Sequence, residues 1–371
     1  MDGTLSTSSS SVPIRKIEVS AFTIPTDFPE ADGTLQWNKT TMVLVHVEAG
    51  GKCGLGYTYA DTATAELIRS TLADEIEGAD ALAPGAVWNK MVHRIRNLGR
   101  PGICSMAISA VDLALFDLKA KLLNLPLVTL LGQVRPGTPI YGSGGFISYS
   151  NAQLEKQLGC WVKEGIRHVK MKVGRHDLGN PDRVRTAQRA IGREVELYVD
   201  ANGAYSRKEA LQQAEMFAEF DVTWFEEPVS SDDLEGLHLI RDRAPARIDI
   251  AAGEYGYDLG YFRRMLDAGA VDVLQADATR CGGVTGFLGA AALCHAHGMP
   301  LSAHTAPTLH MHLGAAALPV RNLEYFHDHV RIERMLFDGL PKPEKGELRP
   351  DLSRPGVGLE LKRADAQRFA A

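Results

Sequence analysis

Apolar and polar residues alternate near the start of the chain. The stretches IRKIEVSAFTIP (14–25) and TTMVLVHVEAGG (40–51) change side at nearly every residue and stop at turn formers, as half-buried strands do. Between them lies TDFPEADGTLQWNKT, polar, with Pro, Gly and Trp37, which reads as a connecting loop. From about residue 62 to 98 the period lengthens to that of amphipathic helices, in ATAELIRSTLADEIEG and AVWNKMVHRIRNLG. A longer, more apolar helix follows, ICSMAISAVDLALFDLKAKLLN, closing at LPLVTLLG. Strands first and helices afterwards predict an α+β unit over residues 14–135.

From about residue 138 the pattern changes. Short apolar runs alternate with helical segments: TPIYGSG, HVKMKVG, VELYVDANG, VTWFEEP, RIDIAAGE, VDVLQAD, MPLSAHT and RNLEYFHD, separated by stretches such as PDRVRTAQRAIG and SRKEALQQAEMFAEF. Eight strands joined by helices predict a (β/α)8 barrel of the TIM type, class α/β, over residues 136–330. An open doubly wound sheet is disfavoured, since no glycine-rich phosphate fingerprint follows a strand. Residues 331–371 are Pro-rich with one strand-like run, VGLEL, and are expected to return to the first domain. Residues 1–13, MDGTLSTSSSSVP, read as a disordered lead-in without the apolar core of a signal peptide.

The barrel strands end in ionisable residues. Lys170 and Lys172 close the second strand, Asp200 the third with Asn202 just after it, and Glu226 with Glu227 the fourth. Glu254, Asp277, His304 and Glu324 close the fifth to the eighth. Matched positions on consecutive strands must converge on the barrel mouth, where such folds place their chemistry. A single charged strand end is unremarkable, but a surface reading does not explain the whole register.

Asp200, Glu226 and Glu254 would repel one another unless a cation lay between them. Oxygen-only ligation with open positions suits Mg²⁺ better than zinc. Glu226 and Glu227 alternate faces, so only one points inward, and adjacency alone does not say which. A metal so held can take a substrate carboxylate, acidify the α-proton and hold the enediolate that forms. Lys170 and Lys172 share a face, so each should lower the other's pKa: Lys172 becomes a base near neutrality while Lys170 stays charged. Asp277 beside His304 orients the ring as a second acid/base. Glu324, if kept protonated, could donate to the carboxylate.

Composition adds exclusions. Of 371 residues, 45% are hydrophobic and 23% charged, the net charge is −6 and the pI near 6.1. Nothing marks a nucleic-acid surface, and no apolar run is long enough to span a bilayer. Five scattered cysteines, an odd count without a CxxC pair, argue against a disulfide framework. The expectation is a cytoplasmic homo-oligomer acting on a small-molecule carboxylate, with neither nucleic-acid nor membrane partner.

The ordered set KMK, VDANGAY, WFEEP, AAGE, QADATRCGGVTG, SAHT and LEYF resembles the mandelate racemase branch of the enolase superfamily, over nearly the whole chain from about residue 14. The resemblance implies an enolase-like, modified TIM barrel beneath an N-terminal capping domain. It implies Glu226 rather than Glu227 as the second ligand of one Mg²⁺, and Lys172 and His304 as bases on opposite faces of the substrate. It also implies that Asn202 touches the substrate and that Ser143, in IYGSGG, supplies a hydroxyl contact. Two cap loops, PTDFPEADGTLQWNK and GLGYTYA, should close the site, with Trp37 and Tyr57 as candidate substrate contacts. The acids of the first loop, Asp27, Glu30 and Asp32, disfavour a second substrate carboxylate. The expected reaction is dehydration of a sugar acid to a 2-keto-3-deoxy acid. Racemisation or epimerisation of a 2-hydroxy acid, or cycloisomerisation of a lactone, would use the same residues.

Overall fold

The computed structural model describes residues 11–174 and 181–371. The first ten residues of the expected lead-in lie outside that range. Val12 and Pro13 are tied down, the Val12 N–H donating to Asp80 at 3.0 Å.

The cap is an antiparallel sheet of β1 (Lys16–Ala31), β2 (Gln36–Ala49) and β3 (Lys52–Tyr59), in that order. The segment expected to be a loop is instead the outer end of the β1–β2 hairpin, whose register breaks between Pro25 and Glu30 before pairing resumes at Trp37. Asp32 makes the turn: its Oδ1 accepts from the Thr34 and Leu35 N–H groups at 2.7 Å each. Polar residues that read as loop therefore pair as strand, and the hairpin reaches out over the barrel.

Helix Ile103–Leu122 lies under this sheet. Gly54 and Gly56 allow the close approach, since a Cβ at either would strike the helix carbonyls of Ala114 or Ala110. The same helix serves the barrel. Ser109 Oγ accepts from the N–H groups of Gly282 and Gly283, and Asp112 from the Thr285 N–H and hydroxyl, both at 2.9 Å. The barrel helix Gly283–Ala296 has no capping side chain of its own, so the cap domain satisfies its first donors.

The barrel strands are β4 (Thr138–Gly144), β5 (His168–Lys172), β6 (Glu196–Asp200), β7 (Val222–Glu226), β8 (Asp249–Ala252), β9 (Val273–Ala276), β10 (Leu301–Ala303) and β11 (Val320–Phe326). All pair in parallel in sequence order, and β11 closes on β4. Inward positions alternate along each strand. Tyr141, Tyr198 and Trp224, with Ala251 and Val273, form a buried floor, the Tyr198 and Trp224 rings stacked at 5.0 Å. One inward step further on, the same strands carry Ser143, Asp200 and Glu226 (Lys170 and Lys172 supply two such steps on β5). The aromatic floor thus sets the height of the polar layer.

An eighth helix, His327–Leu336, follows β11, so the barrel runs past residue 330, where the sequence pattern placed its end. The tail then pairs with the bottom of β4 through Glu347–Leu348 and ends against β1, the Ala371 N–H donating to the Ala21 carbonyl. Asp117 of the cap helix accepts from the Val357 N–H at 2.7 Å. No helix among the described residues is long and apolar enough to cross a membrane.

Candidate active site

Strand geometry brings the predicted residues together. Asp200, Glu226 and Glu254 are buried, and each places a carboxylate oxygen within 4.8 Å of the others. Glu226, not Glu227, belongs to this group; at Glu227 the chain turns through a left-handed conformation, φ 40°. The donor set fits a hard divalent cation: all oxygen, with Glu254 Oε2 buried and without a hydrogen-bond partner.

The lysines lie among these carboxylates. Lys170 Nζ is 2.5 Å from Glu226, 3.0 Å from Glu324 and 3.2 Å from Asp200. Its ammonium also sits 5.4 Å from the Tyr141 ring centre, over the aromatic floor. Lys172 Nζ is 2.5 Å from Asp200 and 3.0 Å from Asn202 Oδ1. Burial penalises the charge of Lys172 and Lys170 repels it, but Asp200 at contact distance outweighs both, and its pKa lies above the usual lysine value. Asp200 is also a candidate ligand of the ion, and a bound cation would draw its charge away from Lys172 and add to the repulsion from Lys170. Burial and the Asp200 carboxylate push Glu226 well up, while the lysines overcome burial and hold Asp200 well below the usual range.

Around the mouth, His304 Nδ1 donates to Asp277 Oδ2 at 2.9 Å, which leaves Nε2 as the outward nitrogen, 3.4 Å from Glu254. Asp277 is buried, yet the His304 hydrogen bond and charge hold it ionised. Glu324 does not play the protonated donor. Despite burial, Lys170 and His304 pull its pKa down to about 2, so it accepts, from Ser143 Oγ at 2.6 Å and the Thr305 N–H at 3.2 Å.

A cavity of about 430 Å³ opens over these groups, lined by Lys172, Asn202, Glu254, His304 and Glu324 from the barrel and by Trp37, Lys39 and Tyr59 from the cap. Trp37 thus stands where a substrate contact was expected. Tyr57 does not: it is fully buried, its hydroxyl donating to Glu333 at 2.6 Å in the seam between cap and barrel. Ser143 is fully buried and its hydroxyl is committed to Glu324. Of the first-loop acids only Asp32 lines the cavity, and its Oδ1 holds the hairpin turn. The lid therefore sets one acid, not three, beside the cavity, and does not exclude a second substrate carboxylate.

Several participants escaped the strand-end pattern. Arg280 lines the cavity, its Nη1 3.3 Å from Glu254 and its Nε 3.6 Å from Asp277, so it ties the carboxylate group to the dyad. Directly after His304 the chain enters the left-handed region at Thr305 (φ 50°) and Ala306 (φ 37°), a costly turn for residues with a Cβ. Two histidines hold it. His310 Nδ1 donates to the Thr305 carbonyl at 2.7 Å and its Nε2 accepts from the Ala278 N–H, beside Asp277. His329 Nδ1 accepts from the Ala306 N–H at 3.3 Å while its ring stacks on Tyr59 of the cap at 3.4 Å.

A cation-binding carboxylate cluster flanked by two proton-handling groups, at the mouth of a capped barrel, defines an enzyme that removes a proton next to a carboxylate. Family models agree on both halves: the mandelate racemase/muconate lactonizing enzyme N-terminal domain matches residues 16–132, and the enolase C-terminal domain-like model residues 153–366. The chain belongs to the mandelate racemase/muconate lactonizing enzyme branch of the enolase superfamily.

It is 35% identical over 293 residues to a 3,6-anhydro-alpha-L-galactonate cycloisomerase of Streptomyces coelicolor, covering 77% of this chain and 80% of that one. It is 34% identical over 278 residues to the L-talarate/galactarate dehydratase of Salmonella typhimurium, covering 74% and 69%. A mandelate racemase/muconate lactonizing enzyme-like protein from Rubrobacter xylanophilus superposes with a TM-score of 0.95 at 54% identity, over 97% of this chain and all of that one. A racemase from Streptomyces coelicolor A3(2), crystallised with bound magnesium, superposes with a TM-score of 0.89 at 32% identity, over 96% and 100%.

Proposed function

We propose that the protein dehydrates a sugar acid to a 2-keto-3-deoxy acid in a Mg²⁺-dependent reaction that begins with loss of the proton at C2. One observation carries the reading: Lys172 and the His304–Asp277 pair face one cavity from opposite sides of the mouth, beside the three-carboxylate cluster. Asp200, Glu226 and Glu254 would hold the ion, which when bound supplies positive charge that acidifies the C2 proton and offsets the charge left behind. Lys170, charged and ringed by Glu226, Glu324 and Asp200, steadies a carboxylate oxygen. One of Lys172 and His304 takes the C2 proton. The other gives a proton to the departing C3 hydroxyl, and the configuration at C2 decides which does which.

The dehydratase relative supports elimination. A second reading, cycloisomerisation of a lactone or anhydro sugar acid, is favoured by the relative of 35% identity. Lys39 adds a cation to the cavity wall, and among the described residues no hydrogen bond or ion pair engages it. Diacids therefore belong beside mono-acids in any screen. The test is product analysis by NMR with a library of aldonates and aldarates in the presence of Mg²⁺. Formation of a 2-keto-3-deoxy acid is expected. An intact carbon skeleton with inverted C2, or a rearranged ring without a 2-keto acid, would overturn dehydration.

A further inference from the structure

A second group of ligand-type side chains lies outside the mouth, where the hairpin of the cap meets the barrel. Asp27 and Glu30 come from β1, and His327 opens the eighth barrel helix. Each places a ligand atom within 4.8 Å of the other two. His327 Nε2 lies 3.1 and 3.3 Å from the two Asp27 oxygens. That spacing suits a hydrogen bond, and it is also the separation of neighbouring donors around one ion at about 2.0–2.2 Å.

Glu30 supplies the independent observation. Its side chain is fully buried, with 0% of its surface exposed, and its Oε1 has no hydrogen-bond partner. Its Oε2 accepts from Trp37 Nε1 at 2.8 Å. A buried carboxyl oxygen beside a second carboxylate and an imidazole is costly unless a proton or a cation is held there.

Of the neighbouring charges, Asp328 already has its partners. Asp328 is engaged by Thr40 Oγ1 and by Arg331, and Arg331 also donates to the Pro25 carbonyl. Arg331 thus balances Asp328; burial and the Asp328 charge hold a proton on Glu30, and an ion bound there would displace it. A groove of about 570 Å³ opens onto Asp27 and His327, wide enough to admit an ion with its water.

We propose that Asp27, Glu30 and His327 bind a divalent transition ion that clasps the cap hairpin to the barrel. One imidazole and two carboxylates suit Zn²⁺, Mn²⁺ or Co²⁺ better than Mg²⁺, so the site differs in kind from the all-oxygen cluster at the mouth. Its consequence reaches the cavity through Trp37, which lines the cavity and donates to Glu30. An ion here would fix that wall.

The test uses the full chain and Zn²⁺ or Co²⁺ alone, without substrate, and so stands apart from the proposed reaction. Equilibrium dialysis should give two ions per chain for the wild type and one for a Asp200→Asn/Glu254→Gln variant. The same titration should give one for Glu30→Gln or His327→Asn, and none when both sets are combined. Glu30→Gln keeps an acceptor for Trp37, and His327→Asn changes a partly exposed side chain, so both should fold. Cobalt bound to the Asp200→Asn/Glu254→Gln variant should show visible ligand-field bands that vanish with His327→Asn. Retention of no ion by the Asp200→Asn/Glu254→Gln variant, or stoichiometry unmoved by Glu30→Gln and His327→Asn, overturns the site and leaves an ordinary ion pair with a protonated glutamic acid.

Discussion

The barrel mouth and the seam beneath the cap both bury charged side chains, and the two regions use them differently. Apart from one Glu30 oxygen, the buried acids of the seam are answered. Glu333 accepts from Tyr57 at 2.6 Å and Thr308 at 2.5 Å, Asp112 from two groups of Thr285, and Asp328 from Thr40 and Arg331. In the mouth the groups outnumber their answers. Three carboxylates converge, Lys170 is shared among three acids, and Glu254 Oε2 has no hydrogen bond. Burial of charge does not mark a reactive site. A surplus of mutually opposed groups, held on rigid strands, does.

Breaking that comparison should give the largest effects at the mouth. Replacing Asp200 or Glu254 by the amide should cut turnover roughly a thousandfold or more, since several kcal/mol of charge stabilisation goes with the ion. Removing Mg²⁺ with a chelator should do the same reversibly, read as restored activity on adding the metal back. Lys172→Arg should lower turnover by about 10²–10⁴-fold at every pH, because a guanidinium does not deprotonate. Wild-type turnover in that variant would remove Lys172 from the chemistry.

Seam substitutions should instead move stability and leave turnover nearly unchanged. Tyr57→Phe removes a donor to buried Glu333 and should cost about 1–3 kcal/mol, read as a lower midpoint in denaturant. A large loss of turnover with unchanged stability would return Tyr57 to the site.

The remaining effect is in pH. Burial pushes the Glu333 carboxyl from 4.5 up to about 7, against the hydrogen bonds from Thr308 and Tyr57. The folded state then keeps the proton longer than the unfolded state, so this group's contribution to stability falls as pH rises from about 4.5 and is fully lost above about 7. Glu333→Gln cannot titrate. The stability of the wild type relative to it should drop by on the order of 3 kcal/mol across that window. A constant difference from pH 4.5 to 8 would mean Glu333 ionises normally.

Most of the barrel was legible because its strands are short apolar runs with polar ends, and one ionisable residue per βα unit carries the register of the site. What escaped lies off that register. Arg280 stands in the loop three residues past Asp277, and His310 and His329 lie on helices, where no strand period points to them. Tyr57 and Tyr59 share a face of β3, so alternation could not separate them. Depth along the strand does: one is in the seam, the other at the cavity rim. The hairpin was hidden because Pro, Asp and Gly signal loop, whereas an edge pair with a broken register tolerates them. Around Lys172 the strand pattern showed the neighbouring lysine but not the 2.5 Å contact with Asp200.

In the proposed reaction two groups handle protons on opposite faces of one substrate. Deuterium incorporation at C2, followed by NMR in heavy water for a sugar acid turned over by the wild type, tests it most directly when repeated with His304→Asn. Dehydration should disappear in that variant. Where Lys172 takes the C2 proton, exchange at C2 should persist without product; where His304 takes it, exchange should vanish together with product. Dehydration continuing at the wild-type rate in His304→Asn would remove His304 from the chemistry.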